Sequence, residues 1–99
     1  MLHDMQTLGY ALEGMAGAEA MLGRGERAAM LFGASEASRE RTGSAVQLAA
    51  WRELHERHLV TLRRELDADE LTAAWAEGRA MTFEQAVEYA LEREEASPA

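Results

Sequence analysis

Residues 3–43 read HDMQTLGYALEGMAGAEAMLGRGERAAMLFGASEASRERTG. Met5, Leu8, Leu12, Met15 and Leu22 recur at the three- and four-residue spacings that place apolar side chains on one face of an α-helix, and Ala11, Ala18 and Met21 widen that face. Gly9, Gly14 and Gly17 interrupt the segment, each at a cost of about 1 kcal/mol relative to Ala in a helix interior. Such a cost is expected where a neighbouring backbone comes close enough to exclude a side chain. Gly23-Arg24-Gly25 ends this first helix. A second, starting near Glu26, turns Ala28, Leu31, Phe32 and Ser35 toward the first and stops at Thr42-Gly43. Two helices joined by so short a turn form an antiparallel hairpin.

Beyond the hairpin the same periodicity continues. Leu48, Trp51, His55, Leu59, Leu62 and Leu66 share one face of a helix over 46–66, roughly 30 Å long at about 1.5 Å per residue. Asp67, with Glu70 three residues later, is a capping-box pattern that opens a fourth helix. Its inner face is Leu71, Ala74 and Trp75, and Gly78 is expected to close it. Thr82 with Gln85 repeats the capping pattern and opens a fifth helix carrying Phe83, Val87, Ala90 and Leu91. Residues 94–99 should fray. No run of alternating polarity rich in Val, Ile or Tyr occurs, so the expected fold class is all-α, with about five helices. The chain divides into a hairpin over 1–43, a long helix over 46–66, two short capping helices over 67–93 and a tail over 94–99, all within one domain.

Composition agrees. A chain of 99 residues with 47% hydrophobic content and a single Pro, at position 98, suits one small helical domain. Ten basic and eighteen acidic residues leave a net charge of −8, which repels a phosphate backbone unless the basic groups cluster. They are all Arg and are spread from Arg24 to Arg93 with acids nearby, so direct nucleic-acid binding is not expected. No apolar run is long enough to span a membrane, no secretory signal pattern opens the chain, and there is no Cys. These features predict a cytoplasmic protein without a membrane partner.

The residue pattern carries no recognisable catalytic or metal-binding motif. His55 and His58 are three residues apart, whereas the helical metalloprotease signature places its two His four apart, and no third ligand is identifiable. His55 is expected at the edge of the apolar stripe and His58 near solvent. The acids Glu53, Glu56, Asp67, Asp69, Glu92, Glu94 and Glu95 lack the Glu-x-x-His pairs of a di-iron bundle and read as solvated surface. Gly23-Arg24-Gly25 follows a helix instead of a strand and is too short for a phosphate cradle. Ser35, Ser38 and Ser44 lack a recognisable base. The sequence therefore predicts no catalytic residue, no metal, no cofactor and no enzyme activity. Trp51, Trp75 and most of the six Met residues sit at core spacing, and either Trp also suits the lining of a groove for a partner peptide.

Two stretches carry a family resemblance. Residues 11–43, ALEGMAGAEAMLGRGERAAMLFGASEASRERTG, and residues 66–92, LDADELTAAWAEGRAMTFEQAVEYALE, together resemble the C-terminal tail of large bacterial transcriptional regulators of the LuxR and maltose-regulator type. These couple an ATPase domain and a DNA-binding domain to tetratricopeptide-like helical repeats. Leu12, Met15, Ala16, Ala28 and Phe32 are spaced like the packing positions of one such hairpin. The resemblance implies a non-catalytic interaction or signal-sensing unit working with a protein partner or with the rest of a parent regulator. No Walker sequence or recognition helix occurs in this chain, so no functional residue carries over. The alternative is a free-standing helical protein that self-associates as a homodimer. In either case Met1, Met5, Leu8 and Leu12 mark the expected interaction face.

Overall fold

Helical periodicity and the capping patterns together fix where the chain turns. The computed structural model describes the backbone of residues 2–42 and 49–96, and side chains over 9–41, 52–82 and 84–92. Five helices follow one another: α1 (Leu2–Met21), α2 (Gly25–Thr42), α3 (Ala49–Glu65), α4 (Ala68–Arg79) and α5 (Phe83–Ala96). Among the described residues there is no strand.

The turn between α1 and α2 is a Schellman motif. Gly23 adopts φ +77°, the left-handed conformation that glycine enters without a Cβ penalty. Its N–H donates to the Ala20 carbonyl at 3.1 Å, and the Arg24 N–H reaches back to Glu19 at 2.9 Å, so both exposed helix-end carbonyls are satisfied. The returning helix runs antiparallel. Glu19 pairs with Arg27 near the turn, Glu13 meets Ser35 further along, and the Gly9 carbonyl accepts from Ser35 near the far end.

Both predicted capping boxes form. Asp67 accepts from the Glu70 N–H at 2.8 Å while Glu70 accepts from the Asp67 N–H at 3.1 Å. Thr82 and Gln85 make the same exchange at 3.1 and 2.9 Å. Each satisfies two orphan amides at a helix start.

At the centre of the fold lies α2. From Ala28 to Ser35 every residue is buried, and so are Ala37, Ser38 and Arg39. The core gathers Leu12, Ala16 and Ala20 of α1, Leu62 of α3, Ala74 of α4 and Ala86 and Ala90 of α5 with Phe32 and Leu31. Most of these side chains are small, so the helices are held by close approach. At the α2–α4 crossing a Cβ added to Gly78 would collide with the Met30 backbone, and one added to Gly33 would collide with the Trp75 carbonyl.

Two expectations change as a result. Gly78 does not stop α4; the helix continues through it to Arg79, and the glycine serves the crossing with α2. The close approach anticipated along α1 occurs at Gly17, where an added Cβ would meet the His58 ring at 2.8 Å, whereas Gly14 has nothing within 4 Å of the place a Cβ would occupy and Gly9 has ordinary contacts. Helix α5 is described as far as Ala96. The proposed start of the third helix at 46–48 lies outside the described residues.

A candidate interaction groove built on a buried ion-pair network

Glu13 sits in α1 directly after Leu12, and its side chain is only 5% exposed. A carboxylate placed there needs partners, because an unpaired buried charge is costly. It has three, contributed by two other helices. Arg39 Nη1 donates to Glu13 Oε1 at 3.0 Å and Ser35 Oγ lies 3.1 Å from the same oxygen, while His55 Nδ1 of α3 stands 2.6 Å from Oε2. Arg39 Nη1 also lies 2.6 Å from Ser35 Oγ, and Ser35 reaches the Gly9 carbonyl at 2.9 Å. Burial pushes the Glu13 carboxyl up, but the hydrogen bonds and charges of His55 and Arg39 outweigh it and leave the group below its ordinary range. The bond to Glu13 raises His55 above its ordinary value, against the effect of partial burial. Each partner thus favours the charged form of the other.

Next to this network the rings assemble. His55 meets Phe32 edge-on with centroids 5.2 Å apart, and Trp75 stacks on Phe32 at 5.7 Å with planes 13° apart. His58 also rests on Phe32, at 5.9 Å, and its partial burial lowers its pKa. The expectation that His58 stands near solvent is thus replaced by a half-buried ring lying over Gly17. Trp75 donates Nε1–H to Glu36 Oε1 at 3.1 Å, and Arg79 clasps Glu40 at 2.7 and 3.0 Å while also pairing with Glu36. Those bonds orient the indole.

The result is a groove of about 580 Å³ between α3 and α4. Its floor is Leu59, Leu71 and Trp75, and its rim carries Glu56, Arg63 and Arg79. A second, smaller and mostly apolar groove of about 260 Å³ separates α3 from α1, lined by Gly14, Ala18, Met21, Leu54 and His58. His55 borders both, so α3 stands as a ridge between them. An apolar floor with a few charged rim groups can hold an apolar side chain or small molecule and orient its polar end. Among the described residues no cluster of three or more His, Asp or Glu is placed to hold a metal ion.

The face expected from sequence lies mostly outside the described side chains. Leu12 is fully buried in the chain's own core. Met5 and Leu8 lie on α1, but their side chains are outside the described residues, as is Met1 entirely. Trp51 lies on α3 with its side chain likewise outside them. Glu13 and Arg39 were not singled out by sequence, and Ser35 was expected only to face the first helix. The available signal was an acid embedded in the apolar stripe of α1, and nothing local points to partners 22 to 42 residues away.

A helical scaffold with open grooves is the class this architecture defines. Comparison with known proteins gives it a relationship: the chain is similar to HTH-type transcriptional regulators. It is 30% identical over 89 residues, covering 90% of the chain, to regulators carrying that name from Mycobacterium bovis and from two strains of Mycobacterium tuberculosis. The chain spans only 10% of the length of each. No family model matches the chain. No solved structure matches it either. Among the described residues no helix is long and apolar enough to cross a membrane.

Proposed function

We propose that this chain is a non-catalytic interaction or signal-sensing unit of a bacterial transcriptional regulator, and that its contact site is the groove between α3 and α4. The observation that carries the reading is the oriented Trp75 floor of that groove, in a chain nine-tenths of which aligns with HTH-type regulators. Trp75 is braced from behind by Phe32 and at its nitrogen by Glu36, so it offers a rigid aromatic anchor of the type that dominates contact energy. In finer detail, α1 and α2 form a tetratricopeptide-like hairpin in a LuxR- or maltose-regulator-like parent, and the later helices cap it. The unit works inside the cell, through a protein partner or the remainder of its parent, and does not itself grip DNA.

The test is genetic. Leu59→Arg with Thr72→Arg fills the groove with charge without touching the core, and transcripts are compared with those of a strain lacking the segment. The double variant should reproduce the transcript changes of the deletion. A deletion without transcript changes sinks the regulatory reading; a deletion with changes and a silent double variant sinks the groove.

A second reading, a free-standing protein that self-associates, is favoured by one observation. Ala11, Gly14, Ala18 and Met21 follow heptad spacing on α1 and are all exposed, with Met21 at 80%. Sedimentation at rising concentration tests it, and a constant monomer mass rejects it.

A further inference from the structure

Charge is divided unevenly among the helices. Four Arg against three Glu give α3 a positive balance, whereas α5 carries five Glu and one Arg. At about 3.6 residues per turn, Arg57, Val60 and Arg64 fall within about 40° of the direction opposite the buried Leu62. They form the outer crest of α3, and all three are exposed. Among the described residues neither guanidinium has an ion pair, and Val60 between them is 44% exposed. Glu53 precedes Arg57 on the same line, so the basic part of the crest is its later half. A groove of about 320 Å³ between α4 and α5 has the opposite character. Met81 and Tyr89 supply its apolar part and Glu77, Glu88 and Glu92 its charge, with no basic residue in its described lining. Among the described residues none of these carboxylates has an ion pair, and Glu88 and Glu92, four apart on one helix, repel each other. Arg27 lies over the Tyr89 ring but is committed to Glu19 and to the Tyr89 carbonyl.

We propose that the α4–α5 groove receives the α3 crest of a second copy of this chain. The occupant follows from charge and shape: the groove is acidic and concave with an apolar floor, and the crest is convex, with two unpaired cations on either side of an exposed valine. Arg57 and Arg64 stand about 10 Å apart along the helix, so their side chains meet the carboxylates while Val60 rests on Met81 and Tyr89. Crest and groove are different faces, so the contact closes as a reciprocal pair or a ring, or runs on as open chains. A crest one helix wide makes a small contact of the transient class. None of the three crest residues lines the α3–α4 groove, and the exposed face of α1 takes no part. The contact therefore goes beyond both functional readings above and stands or falls without them.

Sedimentation equilibrium of the complete chain, up to about 1 mM protein and in about 0.1 M and about 1 M salt, tests the contact. The unaltered chain should associate, and about tenfold more weakly in the higher salt, because exposed ion pairs are screened. Arg57→Glu with Arg64→Glu, and separately Glu88→Arg with Glu92→Arg, should each weaken association by at least about tenfold. All four positions are exposed, so both double variants should keep the far-ultraviolet circular dichroism of the unaltered chain. Mixing the two variants in equal amounts should restore association, since a reversed crest then meets a reversed groove. An unaltered chain that stays monomeric throughout overturns the proposal. So does association that both variants retain, which would place the seam elsewhere, and so do variants that lose it and fail to recover on mixing.

Discussion

Gly78 of α4 packs against the backbone of Met30 in α2 with no space for a single methyl group. One helical turn further along α2, Gly33 meets the Trp75 carbonyl in the same way, so the crossing is set by two missing side chains. The atoms in the way are backbone, which cannot swing aside. Gly78→Ala and Gly33→Ala should each cost about 1–3 kcal/mol or more, the penalty of overpacking, although alanine is the better helix former. Gly14→Ala is the control. Its Cβ enters open space inside α1, so the variant should gain about 0.5–1 kcal/mol. Urea denaturation of the three variants decides the matter, and equal effects at Gly14 and Gly78 refute the crossing.

The contrast between these glycines marks what sequence conveys. Helix order, the 23–25 turn and the capping pairs at Asp67 and Thr82 were legible, because each depends on residues within four positions of one another. The burial of α2 on nearly all sides was not. Ala28, Ala29, Ala34 and Ala37 form no broad apolar stripe, and their effect arises from how near they let other helices come. For the same reason Gly78 read as a stop signal. The Glu13 network was hidden because its members lie on three helices, and a carboxylate beside Leu12 looks locally like surface.

Titration gives a second prediction. Glu13 lies below its ordinary value of 4.5, so it contributes stability that is present above that pH and is lost as pH falls through the lowered value. His55 lies above its ordinary 6.5, so its contribution is complete below that pH and is lost as pH rises through the raised value. The pair therefore favours the folded chain most between pH 4.5 and 6.5. The alkaline decline should be on the order of 1 kcal/mol or less, since His55 is partly solvated and its neutral Nδ1–H tautomer still donates. It should vanish in His55→Ala. Unfolding free energies from pH 4 to 9 measure this, and a flat profile in the unaltered chain contradicts it.

Phe32 is fully buried and touches His55, His58 and Trp75, so its loss removes the common support of three rings from two helices. Phe32→Ala should cost about 3–5 kcal/mol and blue-shifted tryptophan emission should move toward that of exposed indole. If denaturation places the cost below about 1 kcal/mol, Phe32 is not the centre of the core.

The cap at Asp67 is exposed and local, which makes it a clean measure of helix initiation. Asp67→Ala removes the acceptor for the Glu70 N–H and should cost about 1 kcal/mol, while Asp67→Ser should retain most of it. Thermal unfolding of both variants is sufficient, and an equal loss in the two would argue against capping.

The grip of Arg27 on α5 has a bearing on where this chain can be cut. Arg27 is bound at one side to Glu19, at 3.5 Å, and at the other to the carbonyls of Tyr89 and Ala90, at 2.9 and 3.3 Å. Glu19 is 3% exposed in its side chain, so the last helix acts as a lid over a charged pair near the first turn. A shortened chain ending after α4 would lose far more than an outer helix. It would admit water to the base of the hairpin, and the beginning of the chain would feel a truncation made at its end.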